Sequence, residues 1–183
     1  MGLLGRVPPS VAWCVAAACL AGGAARAEAP TEFAVKGAYL SRFGEYVDWP
    51  EEAFQGSGSP FVIGILGMDP FDGALDQVAR NRNIRGHPIV IRRLDGLDQL
   101  EQIHVLYVGK EEATHWDRIR EALRGRNILT VGEEAAGPGP VISFVVLQNR
   151  VRFEIDVDAA GRANLKLSSK LLGLALKRPQ GRG

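Results

Sequence analysis

The sequence predicts an α/β fold: a three-layer sandwich with helices on both faces of a mostly parallel sheet of about five to six strands. Continuous apolar runs at 61–67 and 103–109 read as strands buried on both faces, which requires helices above and below them. These runs alternate with segments of helical periodicity, the order expected of a parallel sheet. Near the end of the chain the pattern changes to two strand-like runs, 141–147 and 151–157, joined by Gln148-Asn149-Arg150. They read as an antiparallel C-terminal hairpin at the sheet edge. No repeat, linker or second composition regime interrupts the chain, so 28–183 reads as a single domain.

Residues 1–27 are read as a secretory signal and not as fold. Arg6, the apolar run SVAWCVAAACLAGGAA and Ala25-Arg26-Ala27 place an A-x-A cleavage site after Ala27, and the run is short for a membrane span. A rival reading is lipoprotein processing at Cys19, although Ala16 stands where leucine is usual. Cleavage removes Arg6 and Arg26 and no acid, so 22 basic against 21 acidic residues become 20 against 21. That balance gives no electrostatic basis for binding nucleic acid or anionic lipid. Both cysteines, Cys14 and Cys19, lie in the leader. The mature chain therefore has no disulfide, thiol nucleophile or thiolate metal site, which suits a bacterial periplasm.

The first expected element is an aromatic helix, FAVKGAYLSRFGEYVDWP, over 33–50. Phe33, Gly37, Leu40, Phe43 and Val47 recur at steps of three and four on one face, and Asp48-Trp49-Pro50 stops the helix. Tyr39, Tyr46 and Trp49 lie beside that stripe. They read either as core, with Trp49 plugging its bottom, or as anchors of a partner interface. A Gly/Ser loop leads to the strand 61–67, and Asp69-Pro70 caps a helix to about Asn81 through Phe71, Leu75 and Val78. Strand 89–94, a helical piece at 97–100, strand 103–109, an amphipathic helix 111–124 stopped by Gly125, and strand 128–132 follow. After a Gly/Pro loop at 135–140 comes the hairpin. Its second strand points Val151, Phe153, Ile155 and Val157 one way and Arg152, Glu154 and Asp156 the other. Short helices at 158–165 and 168–177, the latter capped by Ser168, and a frayed tail at 177–183 complete the chain.

Motifs for chemistry are sparse. GILGMDPFDG is neither G-x-G-x-x-G nor a Walker loop, yet Gly67, Asp69 and Phe71 sit at a strand's carboxyl end, where α/β proteins hold small polar ligands. His104 reads as a core histidine, and His87 and His115 form no metal-binding spacing with it. No serine sits in G-x-S-x-G, and Ser168-Ser169-Lys170 lacks S-x-x-K spacing. Glu154 and Asp156 share a strand face with Arg152, and Lys166 and Lys170, four apart, could flank it. This is a solvated edge or a polar patch for a partner. Nothing assembles an acid, a base and a nucleophile, so the expectation is a binding protein without cofactor or metal.

GAYLSRFGEYVDWPEEAF, FVIGILGMDPFDGALD, HPIVIRRL, IHVLYVG, ILTVG and FVVLQNRVRFEIDVDAAGRANLKLSSKLLGLA together resemble the YfiR family in order and spacing, over about residues 32 to 176. The resemblance implies a periplasmic α/β domain, typically a homodimer, that binds the periplasmic part of an inner-membrane diguanylate cyclase and represses it. Cyclic-di-GMP and biofilm formation fall as a result. Related domains also serve as extracytoplasmic sensors joined to histidine kinases, so a small-molecule sensor is the alternative. Studied members have disulfides in the mature domain and this chain has none. Family roles map best onto Arg152, Glu154 and the 166–172 tail.

Overall fold

The computed structural model describes residues 30–80, 82–133 and 139–176. The expected leader with Cys14 and Cys19, most of the 135–140 loop and the 177–183 tail lie outside the described residues.

The central strands form because their residues are apolar on both sides of the pleat. In β2 (Phe61–Leu66) every residue is buried. Phe61, Ile63 and Ile65 enter one core, while Val62 and Leu66 enter the other. Burying side chains of this size contributes roughly 1.5–3 kcal/mol each. β2 pairs in parallel with β4 (His87–Leu94) on one side and β5 (Val105–Val108) on the other. The parallel run continues through β6 (Leu129–Glu133) to β7 (Ile142–Leu147). β8 (Arg150–Ile155) closes the predicted antiparallel hairpin, with Phe144 opposite Phe153 and Ser143 opposite Glu154. A short strand that the sequence did not announce, β3 (Asn83–Ile84), lies antiparallel on β4 and makes the sheet seven-stranded, in the order β3-β4-β2-β5-β6-β7-β8.

Two cores sandwich this sheet. On one face lie α1 (Glu32–Phe43), α2 (Ala74–Ala79), α4 (Val157–Arg162) and α5 (Ser169–Leu174), which contribute Leu40, Phe43, Leu75, Ala160 and Leu171. On the other, α3 (Trp116–Ala122) contributes Trp116 and Ile119, joined by Leu100 and Ile103. The three layers are those expected.

Helix boundaries differ from the sequence reading. α1 begins as predicted, with Thr31 Oγ1 accepting the Ala34 N–H at 3.2 Å, but ends at Phe43. Gly44–Tyr46 make one 3-10 turn, and Val47 is extended in a two-residue strand, β1 (Val47–Asp48). Strand pairing of β1 with β9 (Lys166–Leu167) takes these residues from the helix, overriding the apolar period. The helix expected from Asp69 starts only at Ala74. Asp69 Oδ1 instead accepts the Phe71 N–H at 2.8 Å, and Asp72 and Gly73 have left-handed φ of 46° and 76°. That turn drives Phe71 into the core against Tyr107, with ring centroids 4.9 Å apart. Much of the helix expected over 111–124 is 3-10 turn at Lys110–His115. Val157, placed by alternation on the core face, is exposed as the first residue of α4, because Asp156 caps that helix by accepting the Ala159 N–H.

Gly44 is needed for a close approach. A Cβ there would lie 2.6 Å from Ile84 Cδ1 and 2.7 Å from Phe61 Cζ. Gly44→Ala is therefore expected to destabilise by roughly 1–3 kcal/mol through overpacking, despite alanine's better helix propensity. Urea unfolding checks this; a raised midpoint would contradict it.

Candidate functional site

The motifs at opposite ends of the chain, FGEYVDWP and LKLSSK, meet in space. In the β1–β9 ribbon Val47 pairs with Leu167 and Asp48 with Lys166. The Ser168 N–H donates to the Tyr46 carbonyl at 2.9 Å, while Ser168 Oγ caps α5 by accepting the Leu171 N–H at 3.2 Å. These bonds place Lys170 Nζ 5.3 Å from the centre of the half-buried Tyr46 ring. Lys166 and Lys170 are exposed, as is Asp48, which pairs with Arg85. Trp49 sits beneath them in the core, with its ring edge-on to Phe61 and Nε1 donating to the Asn127 carbonyl at 3.0 Å. Of the two readings open for the aromatics, core or interface anchor, the burial and contacts of Trp49 fit the core one.

Tyr39 and Arg152 form a second group. Tyr39 is half-buried against Phe43, Phe144 and Phe153, and one side of it faces a groove of about 470 Å³. Arg152, with Arg150 and Val146, lines the other side. Glu154 is half-buried and bridges in parallel to Leu176, whose N–H donates to the Phe153 carbonyl at 2.8 Å. The C-terminal segment therefore covers part of the polar edge strand.

The residues proposed for a ligand loop are occupied within the fold. Phe71 is in the core, and Asp69 accepts from Arg93 Nε at 2.9 Å. Arg93 also reaches Asp76 at 2.6 Å and holds that carboxyl below its usual range. Gly67 takes a left-handed φ of 86° that turns the chain out of β2. The loop's Met68 and Pro70 instead line a cavity of about 540 Å³ beyond the strand ends.

The polar wall of that cavity escaped the sequence reading. Lys36, only 1 % exposed, pairs with Glu133 at 2.7 Å and with Glu32 at 2.5 Å. Tyr107 donates to the other Glu133 oxygen at 3.0 Å. Burial, reinforced by the neighbouring Glu133 carboxylate, pushes the Tyr107 phenol far up and keeps it a donor. The available signal was a lysine one position from Gly37 and three from Phe33, on the apolar face of an amphipathic helix.

His104 is the core histidine expected, with Nδ1 accepting the Val62 N–H at 3.1 Å. Among the described residues no group of three or more His, Cys, Asp or Glu is arranged to hold a metal ion.

A family model described as YfiR/HmsC-like matches residues 33–176. The chain belongs to the YfiR/HmsC-like family. That family is regulatory and periplasmic, and its theme is cyclic-di-GMP control. No curated protein matches the chain. The matched span begins at the aromatic helix and ends at Leu176, so it takes in the ribbon, the groove and the cavity together. Among the described residues of this YfiR/HmsC-like domain, no helix is long and apolar enough to cross a membrane.

Proposed function

We propose that this YfiR/HmsC-like protein is exported, cleaved after Ala27, and represses an inner-membrane diguanylate cyclase by binding its periplasmic sensor part. Cyclic-di-GMP and biofilm formation fall while it is bound. The family match over 33–176 carries this reading. The β1–β9 ribbon supports it by presenting Tyr46, Lys166 and Lys170 together on the surface, with Tyr39, Arg152 and Glu154 supplying a second contact. Repression needs no catalysis: a protein that binds the inactive sensor conformation better than the active one shifts their populations by that difference. Exposed Val146 and Leu147 on the hairpin, with Leu172 and Leu174 on α5, leave apolar surface for the homodimer.

The test is calorimetric titration against the purified periplasmic sensor domain of an inner-membrane diguanylate cyclase from the same organism. Lys166→Glu combined with Lys170→Glu is expected to weaken binding at least about tenfold, because both side chains are exposed on the ribbon, and urea unfolding of the same sample checks its fold. Glu154→Arg is expected to weaken it as well. Unchanged affinity in the lysine pair removes the ribbon from the interface, and no binding by the unmodified protein defeats the proposal.

A further inference from the structure

The crevice at the carboxyl ends of the parallel strands supports an inference that stands whether or not the chain restrains a cyclase. From β2 the chain goes outward to β4 on one side, then crosses back to β5 on the other. At such a switch point the loops leave in opposite directions and open a crevice beyond the strand ends, the general ligand position of doubly wound sheets. Here Met68 and Pro70 follow β2, Tyr107 and Gly109 come from the end of β5, and Glu133 ends β6. The cavity they border, about 540 Å³, is of a size that takes a small organic molecule.

Its charge selects the class of molecule. Glu32, Glu111 and Glu133 line the cavity against Lys36 and Lys110, leaving one carboxylate in excess. The Glu133 and Glu32 side chains, although both paired with Lys36, keep 21 % and 45 % of their surface in contact with solvent, so each still presents carboxylate surface to the cavity. The cavity already seats one ammonium: Lys36 Nζ lies 4.9 Å from the centre of the Phe33 ring and 5.8 Å from that of Phe144. Carboxylate oxygens beside aromatic faces are the surroundings that hold a second. Stability gives weak reason to bury this lysine, since a buried ion pair does little better than apolar side chains of equal volume. We propose that the crevice binds a small organic ammonium compound, its charged nitrogen held by Glu133 and Glu32 and its apolar body by Phe33, Met68 and Phe144.

The experiment is isothermal titration calorimetry of the protein with phenethylammonium, with 2-phenylethanol and phenylacetate as neutral and anionic matches. Phenethylammonium is expected to bind at least about tenfold more tightly than either. Glu133→Gln is expected to lose at least about tenfold of that affinity. Because Glu133 also holds Lys36, urea unfolding of the same sample checks its fold. Met68→Lys, at a position 70 % exposed, places a cation at the crevice without touching the core and is expected to weaken binding several-fold. Phenylacetate binding as tightly as the amine would overturn the ligand class. Affinity unchanged in both variants, or no heat from any probe up to about 10 mM, would overturn the site.

Discussion

Lys36→Met is expected to destabilise the protein by roughly 3 kcal/mol, lowering the thermal midpoint by about 6–12 °C for a chain of this length. Methionine keeps the length of the stem, so the loss is electrostatic and not a cavity effect. Glu32 is nearly half exposed and water can solvate it when its partner goes. Glu133 cannot turn outward so freely, being 21 % exposed and tied to the buried Tyr107 hydroxyl at 3.0 Å. Most of the cost therefore lies in leaving Glu133 charged against Phe144 and Tyr107 without a counter-ion. Adding Glu133→Gln removes that charge and keeps an acceptor for Tyr107. The double variant is expected within about 1 kcal/mol of the unmodified protein by urea unfolding. A single variant as stable as the parent, or a double variant less stable than the single, would show that the pair is not what holds this corner.

The ribbon and the crevice lie at opposite ends of the sheet. Trp49 and His104 pack around Phe61, the first residue of β2, so the β1–β9 ribbon rests near the amino ends of the parallel strands. The crevice opens beyond their carboxyl ends. α1 joins the two: Lys36 lies in its first half, while Tyr46 follows its last residue by three. Twelve helical residues span about 18 Å, roughly the length of the sheet's central strands.

The layers were legible because β2 and β5 are apolar at every position, and the hairpin because Phe153 and Ile155 alternate with Arg152 and Glu154. What failed was local and came from distant partners. Nothing within 33–50 says that Val47 pairs with Leu167, 120 positions away, so helical periodicity was extended across a strand. Asp69-Pro70 is a sound helix start by local rules, yet Phe71 gains more from the core beside Tyr107 than from the first helical turn. Tyr46 reads as part of the aromatic helix, and Lys166 with Lys170 as flanks of the polar strand face, and only the ribbon brings the two groups together. Lys36 belongs to no recognisable motif, and its one signal is a charge placed on the apolar face of its helix.

Acidification is expected to weaken the fold between about pH 6.5 and pH 4, through His104. Its ring is buried and stacked between Phe54 and Phe61, at centroid distances of 4.7 and 4.9 Å. Burial lowers its pKa from 6.5 to about 4. Protonation at Nδ1 would also forfeit the bond from the Val62 N–H. The unfolded chain therefore takes up a proton before the folded one does. Stability is complete above about pH 6.5, declines as the pH falls toward 4, and by then has lost roughly 2–3 kcal/mol from this group. Asp76, held low by Arg93, gives up its contribution only below its unfolded value of 3.8, so the two windows separate. His104→Asn retains an acceptor for Val62 and does not titrate. It should start less stable, having lost its stacking, but its urea midpoint should change little between about pH 7 and pH 4.5. Parallel decline of parent and variant across that interval would mean that other groups bind the protons, since an unionisable side chain has no linkage to them.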